Sequence, residues 1–163
     1  MVSFMYEERF LQKELYMNFS MNIKKLNDKA TLPVYSSEFA AGADLYSCLE
    51  GEVTIAPGET RLIPTGLAMA IPEGLVGLIY ARSGLASKKG LAPANKVGVI
   101  DSDYRGEIMV CLHNHGNVAQ TVENGERIAQ IAFVPYYAAD FKLVDELDET
   151  VRGAGGFGST GTK

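Results

Sequence analysis

The chain has 163 residues, 47% of them hydrophobic, and a formal net charge of −5, which suits one domain with a real core. No apolar run approaches the about 20 residues of a membrane span, and acidic residues occupy the stretch where a signal peptide would be apolar, so a cytoplasmic protein with no membrane partner is expected. The negative balance argues against a grip on nucleic-acid backbone, and Cys48 and Cys111 make neither a disulfide framework nor a zinc motif, so buried free thiols are expected.

Residues 1–20 stand apart. Tyr6, Phe10, Leu11 and Leu15 fall near helical spacing, so this stretch reads as an appended helical or disordered segment, with the β domain covering 21–150. From Asn22 to Glu146 the chain carries short β-type runs, EVTIA, RLIPTG, LAMAIP, LVGLIYA, KVGVI, GEIMVCLHN, AQTV and RIAQIAFVP, separated by turn signals such as Pro57-Gly58, Pro72-Glu73-Gly74 and Asn124-Gly125. That spacing predicts an antiparallel sandwich, jelly roll or barrel. One short helix is expected at SGLASKKG, 83–90.

Within the β domain, 95–110 (NKVGVIDSDYRGEIMV) reads as a β-hairpin with an acidic tip. Asp101 and Asp103 either make Asx-type turn bonds or supply a carboxylate that orients and deprotonates a water. Arg82 and Ser83 precede Gly84 at the helix start, where Ser83 offers a cap and free N–H groups beside a guanidinium suit an anion. Asp44 stands alone at a strand entrance. His113 and His115 would share a strand face, where surface exposure is the ordinary expectation.

The tail, VRGAGGFGSTG from 151, contains G-x-G-x-x-G at Gly156, Gly158 and Gly161, yet only Thr162 and Lys163 follow. No helix or second strand can be built from two residues, so this is neither a dinucleotide-binding turn nor a P-loop. Its amides can still converge on an anion. Arg152, Phe157, Ser159 and Thr160 give it chemistry that a linker does not need.

Five segments in order, AGADLYS (41–47), ARSGLA (81–86), GVIDSDYRGE (98–107), GERIAQIAF (125–133) and RGAGGFGSTG (152–161), strongly resemble the homotrimeric dUTP pyrophosphatase (dUTPase) family. The resemblance implies an all-β, jelly-roll-like distorted barrel with one short internal helix. It further implies a homotrimer whose three active sites are each built from all three chains, with residues 151–163 as a mobile arm closing over a neighbouring subunit's site. It assigns Asp101 as the general base, and Asn95, Gly98, Val99, Ile100 and Met109 to the uracil pocket, where close strands exclude a C5 methyl. Tyr104 would lie under the deoxyribose and reject a 2′-hydroxyl. Arg82, Ser83, Gly84 and Gln130 would hold the phosphates, Arg152, Gly158, Ser159 and Thr160 would bind the terminal ones, and Phe157 would stack on the base. Mg²⁺ would ride on the triphosphate with Asp44 in its outer shell, through water. The implied reaction is hydrolysis of dUTP to dUMP and pyrophosphate. The same fold also serves dCTP deaminases and would serve a sensing module without turnover. The IDSDY run and the Phe-containing arm argue against the first, and Asp101 with a complete arm against the second.

Overall fold

The computed structural model describes residues 19–156. Its strands are β1 (Asn22–Lys25), β2 (Val34–Tyr35), β3 (Ala43–Tyr46), β4 (Val53–Ile55), β5 (Thr60–Pro64), β6 (Leu67–Ala70), β7 (Leu75–Tyr80), β8 (Leu91–Pro93), β9 (Gly98–Ile100), β10 (Met109–Asn114), β11 (Gln120–Val122) and β12 (Arg127–Pro135). The helix α1 (Ser83–Lys89) interrupts them once and ends at Gly90, whose φ of 67° is the left-handed cap that glycine adopts without strain. The sheets run β2-β3-β12-β7-β9, β5-β10-β8, β1-β6 and β11-β4. All pairings are antiparallel. The all-β, jelly-roll-like expectation holds, although hydrogen bonding does not run round a closed barrel among the described residues.

Alternation builds the core. On β10, Val110, Leu112 and Asn114 point inward while Met109, Cys111 and His113 lie on the half-buried face. Leu45, Ile55, Ile63, Leu67, Met69, Ile108, Ile128 and Ile131 complete one apolar cluster, each contributing about 1.5–3 kcal/mol by leaving water. Asn114, at the end of β10, is one of four buried polar residues among those described, with Asp44, Ser47 and Thr65. Its amide donates to the carbonyls of Ile55 and Val118, and its oxygen accepts from the Gly116 N–H, so burial costs it little.

Two expectations need correction. The 95–110 segment is not a hydrogen-bonded hairpin: β9 pairs with β7, Gly77 opposite Ile100, whereas β10 pairs with β5 and β8. Residues 101–108 therefore carry the chain from one sheet to another. Cys48 is buried, and burial pushes its thiol up, but Cys111 is only half-buried.

Of the N-terminal segment, only Phe19 and Ser20 are described; the reading of 1–18 lies outside the described residues. Phe19 packs edge-on against Phe133, with ring centroids 5.6 Å apart. At the other end, the sheets finish at Pro135. Residues 136–156 contain no strand or helix, and Tyr137, Phe141, Leu143, Leu147 and Val151 are fully or largely exposed.

Candidate active site

Two clusters of polar groups form at different places on the same sheet. The first lies at the crossing from β9 to β10. Asp101, Asp103, Arg105, Val99, Leu78 and Tyr136 are among the residues lining a cavity of about 820 Å³. The turn closes with the Tyr104 N–H donating to the Asp101 carbonyl at 3.2 Å. Arg105 braces it, donating to the carbonyls of Ser102 at 2.6 Å and Tyr104 at 2.8 Å. Tyr104 folds over Gly106, its hydroxyl donating to the Glu107 carbonyl at 3.0 Å. A Cβ on Gly106 would meet the Tyr104 Cζ at 2.6 Å, so the ring's position requires glycine there. Asn95 and Gly98 are neighbours, since a Cβ on Gly98 would sit 3.5 Å from the Asn95 amide nitrogen. Val99 is exposed and Ile100 half-buried on β9, and Met109 opens β10 opposite Pro64.

The second cluster centres on Asp44, which is 5% exposed. Its Oδ1 accepts from the Arg82 Nε at 2.7 Å. Its Oδ2 accepts from the Ser36 hydroxyl at 2.7 Å and the Arg127 Nη1 at 3.2 Å. Burial alone would push this carboxyl up. The Ser36 bond, the bond and charge of Arg82 and the Arg127 bond outweigh that and hold it below its ordinary value. Gln130, opposite Asp44 on β12, donates to the Ala81 carbonyl at 2.9 Å, and a Cβ on Gly42 would lie 2.7 Å from its oxygen. Glycine at 42 thus makes room for Gln130.

Arg82 itself, not Ser83, occupies the helix cap position, and no side chain caps α1. The expected serine cap is absent because Ser83 is the first helical residue and faces solvent with Gly84. Among the described residues, the first helical amides remain available to an anion.

Within one chain these clusters are far apart. Ile100 lies opposite Gly77 in an antiparallel pair, so Asp101 falls beside Val76, whereas Arg82 lies six positions further along, roughly 20 Å at strand rise. No single phosphorus can touch both from one chain. The tail contributes a third element: Arg152 is exposed and donates to the Gly155 carbonyl at 2.8 Å, and Gly153 takes a φ of 50°. Phe157, Gly158, Ser159 and Thr160 lie outside the described residues.

His113 and His115 do share a face, ring centroids 4.4 Å apart, with the His113 Nδ1 on the Thr60 hydroxyl at 2.8 Å. No cluster of three or more His, Cys, Asp or Glu is arranged for a metal ion among the described residues. Sequence reasoning missed Ser36 and Arg127 as partners of Asp44; the nearest signal was Arg127's place inside GERIAQ.

Guanidinium, free amide and carboxylate are the groups that chemistry at a phosphate ester requires, on a jelly-roll-like scaffold whose tail is rich in glycine. Comparison with known proteins narrows this class. The dUTPase family profile matches residues 28–161. The chain is 51% identical over 141 residues to the deoxyuridine 5′-triphosphate nucleotidohydrolase of Hahella chejuensis, covering 86% of this chain and 93% of that protein. It is 57% identical over 136 residues to the same enzyme of Desulfitobacterium hafniense, covering 82% and 90%. Among solved structures, a variant of the Staphylococcus bacteriophage 80alpha dUTPase with dUpNHpp superposes with a TM-score of 0.81 at 30% identity, covering 88% of this chain and 99% of that one. A dUTPase variant of the S. aureus phage phi11, described for coordination of a structural Mg(II) ion, gives 0.72 at 26% identity, covering 78% and 98%. The chain belongs to the dUTPase family.

Proposed function

We propose that the chain hydrolyses dUTP to dUMP and pyrophosphate, in sites assembled between subunits of a homotrimer. The family membership carries the reaction. The separation of Asp101 from Arg82 along β7 and β9 carries the assembly, because a carboxylate and a phosphate clamp roughly 20 Å apart in one chain can serve one substrate only when they come from two. The exposed apolar side chains of 136–151 support the same reading: a tail with nothing to bury against in its own chain has a use for a neighbour's surface.

In this mechanism Asp101 takes a proton from a water aligned for in-line attack on the α-phosphorus. Arg105 closes the turn that carries Asp101 on itself, through the carbonyls of Ser102 and Tyr104. Asn95 and the backbone at Gly98, Val99, Ile100 and Met109 read the uracil edge, and Tyr104, seated on Gly106, excludes a ribose 2′-hydroxyl. Arg82, Gln130 and the amides at Ser83 and Gly84 take the phosphate oxygens. Arg152, Gly158, Ser159 and Thr160 bring the arm down on the terminal phosphates, and Phe157 stacks on the base for about 1–3 kcal/mol.

Were Mg²⁺ to accompany the triphosphate, Asp44 would hold it through water, and the ion would supply charge compensation for the departing pyrophosphate. Three of Asp44's roughly four acceptor sites are engaged, which leaves room for a water of the ion's outer shell, while the two guanidiniums beside it disfavour direct coordination. The cytoplasm is the expected compartment, and no helix among the described residues is long and apolar enough to cross a membrane.

The test is pyrophosphate release with Mg²⁺ from dUTP, dCTP, dTTP and UTP, alongside an ammonia assay. Release from dUTP alone, without ammonia, is expected. Tight dUTP binding without release would make the protein a sensor, and ammonia from dCTP would make it a deaminase.

A further inference from the structure

Arg127 lies at the start of β12, where register with β3 slips: Arg127 faces Tyr46, Ala129 faces Leu45, and Ile128 has no partner of its own. Regular alternation inward from Ile131 would bury Ala129 and Arg127 together. Instead Ile128 and Ala129 are both fully buried, and Arg127 emerges on the outer face with Gln130. One extra residue inverts the facing of everything beyond it. The bulge therefore brings a second guanidinium to the buried carboxylate of Asp44.

Arg127 holds Arg82 in two ways. Its carbonyl accepts directly from the Arg82 Nη1 at 3.3 Å. Its side chain, with the Ser36 hydroxyl, fixes Oδ2 of Asp44, so that Oδ1 is aimed at the Arg82 Nε. Arg82 is tied along one edge, and its Nη2 keeps no partner among the described residues. An untethered arginine samples many rotamers, whereas this one is set before substrate arrives.

We infer that Arg127 is a positioning residue for the phosphate clamp, acting through Asp44 to preset the Arg82 guanidinium. This rests on the proposed role of Arg82 at the phosphates. The test is a double-mutant cycle on kcat/KM for dUTP using Arg82→Ala, Arg127→Met and the pair, with thermal melts of each. Methionine keeps the aliphatic stem and removes the charge.

Arg127→Met is expected to lose about 10- to 100-fold, the scale of a misplaced substrate clamp, and to add less than about twofold in the Arg82→Ala background. Arg127→Lys, which can still reach Asp44, should recover part of the loss. Losses that multiply would mean that Arg127 acts independently and would overturn the inference. Full effect of Arg82→Ala with wild-type activity in Arg127→Met overturns it alone, leaving the clamp intact. Wild-type activity in Arg82→Ala removes the clamp and anything that works through it. Failure of both Arg127 variants to fold would assign Arg127 to the fold and overturn the inference.

Discussion

Gly77 couples the core to the turn that bears Asp101. It stands on β7 opposite Ile100, and a Cβ there would lie 2.8 Å from Ile71 Cδ1, 3.2 Å from Ile131 Cδ1 and 3.4 Å from Ile100 Cβ. Carbon atoms rest about 3.5–4.0 Å apart, so Gly77→Ala is short of room by about 0.7 Å against Ile71. Ile71 and Ile131 are 2% and 0% exposed and cannot swing away. The β7 backbone must therefore shift away from them, and β9, the edge strand paired with it, shifts too. Overpacking of this kind costs about 1–3 kcal/mol, or roughly 3–10 °C in melting temperature for a domain of this size. The displaced Ile100 carries Asp101, the proposed base, with it, and a base moved by up to 1 Å loses on the order of 10- to 100-fold in turnover. Thermal melts and pyrophosphate release from dUTP measure both effects. A variant that melts and turns over like the wild type would refute the packing of β9 on Gly77 as the support of Asp101.

Other changes address the remaining contacts. Asp44→Asn leaves Arg82 and Arg127 without a counter-charge, but their side chains are 26% and 49% exposed, so about 1–3 kcal/mol is expected, less than for a fully buried pair. Because the folded state holds this carboxyl below its ordinary value near 3.8, its contribution is complete above that value and lost as pH falls through the folded one. The melting gap between wild type and Asp44→Asn should be constant above about pH 5 and close in more acid solution; a gap that widens there would contradict the ion-pair account. Gly106→Ala should push the Tyr104 ring off its seat and break its bond to Glu107, costing about 1 kcal/mol of stability. It should also lower the preference for dUTP over UTP by tenfold or more, and an unchanged ratio of kcat/KM would remove Tyr104 from sugar discrimination. Deleting 152–163 should leave a folded trimer with little turnover; if the truncated chain unfolds, the tail is structural.

Local patterns announced most of the elements. The helix at 83–89 followed from a short stretch closed by Gly90, and the strands from apolar alternation between Pro and Gly turns. Partner choice was hidden. Residues 95–110 look like a hairpin because nothing local says that β9 will pair with β7 while β10 crosses to β5; both partners lie far off in the sequence. The Asp44 cluster was hidden for a related reason, since its partners lie 8, 38 and 83 positions away. The bulge that turns Arg127 outward shows in the sequence only as Ile128-Ala129, two apolar neighbours that a regular strand would not bury together. Asp101, Arg82 and Gln130 drew attention because each sits in a short segment with a family likeness, whereas Ser36 sits in none.

The central claim is that Asp101 of one chain works with Arg82 of another. Asp101→Asn and Arg82→Ala, each with only residual activity by itself, should be unfolded, mixed in equal amounts and refolded together. Random assembly then brings an intact Asp101 and an intact Arg82 to about one site in four, so the mixture should regain about a quarter of wild-type pyrophosphate release. A mixture as inactive as its two components, with trimers formed, would contradict the account and return both residues to a single chain.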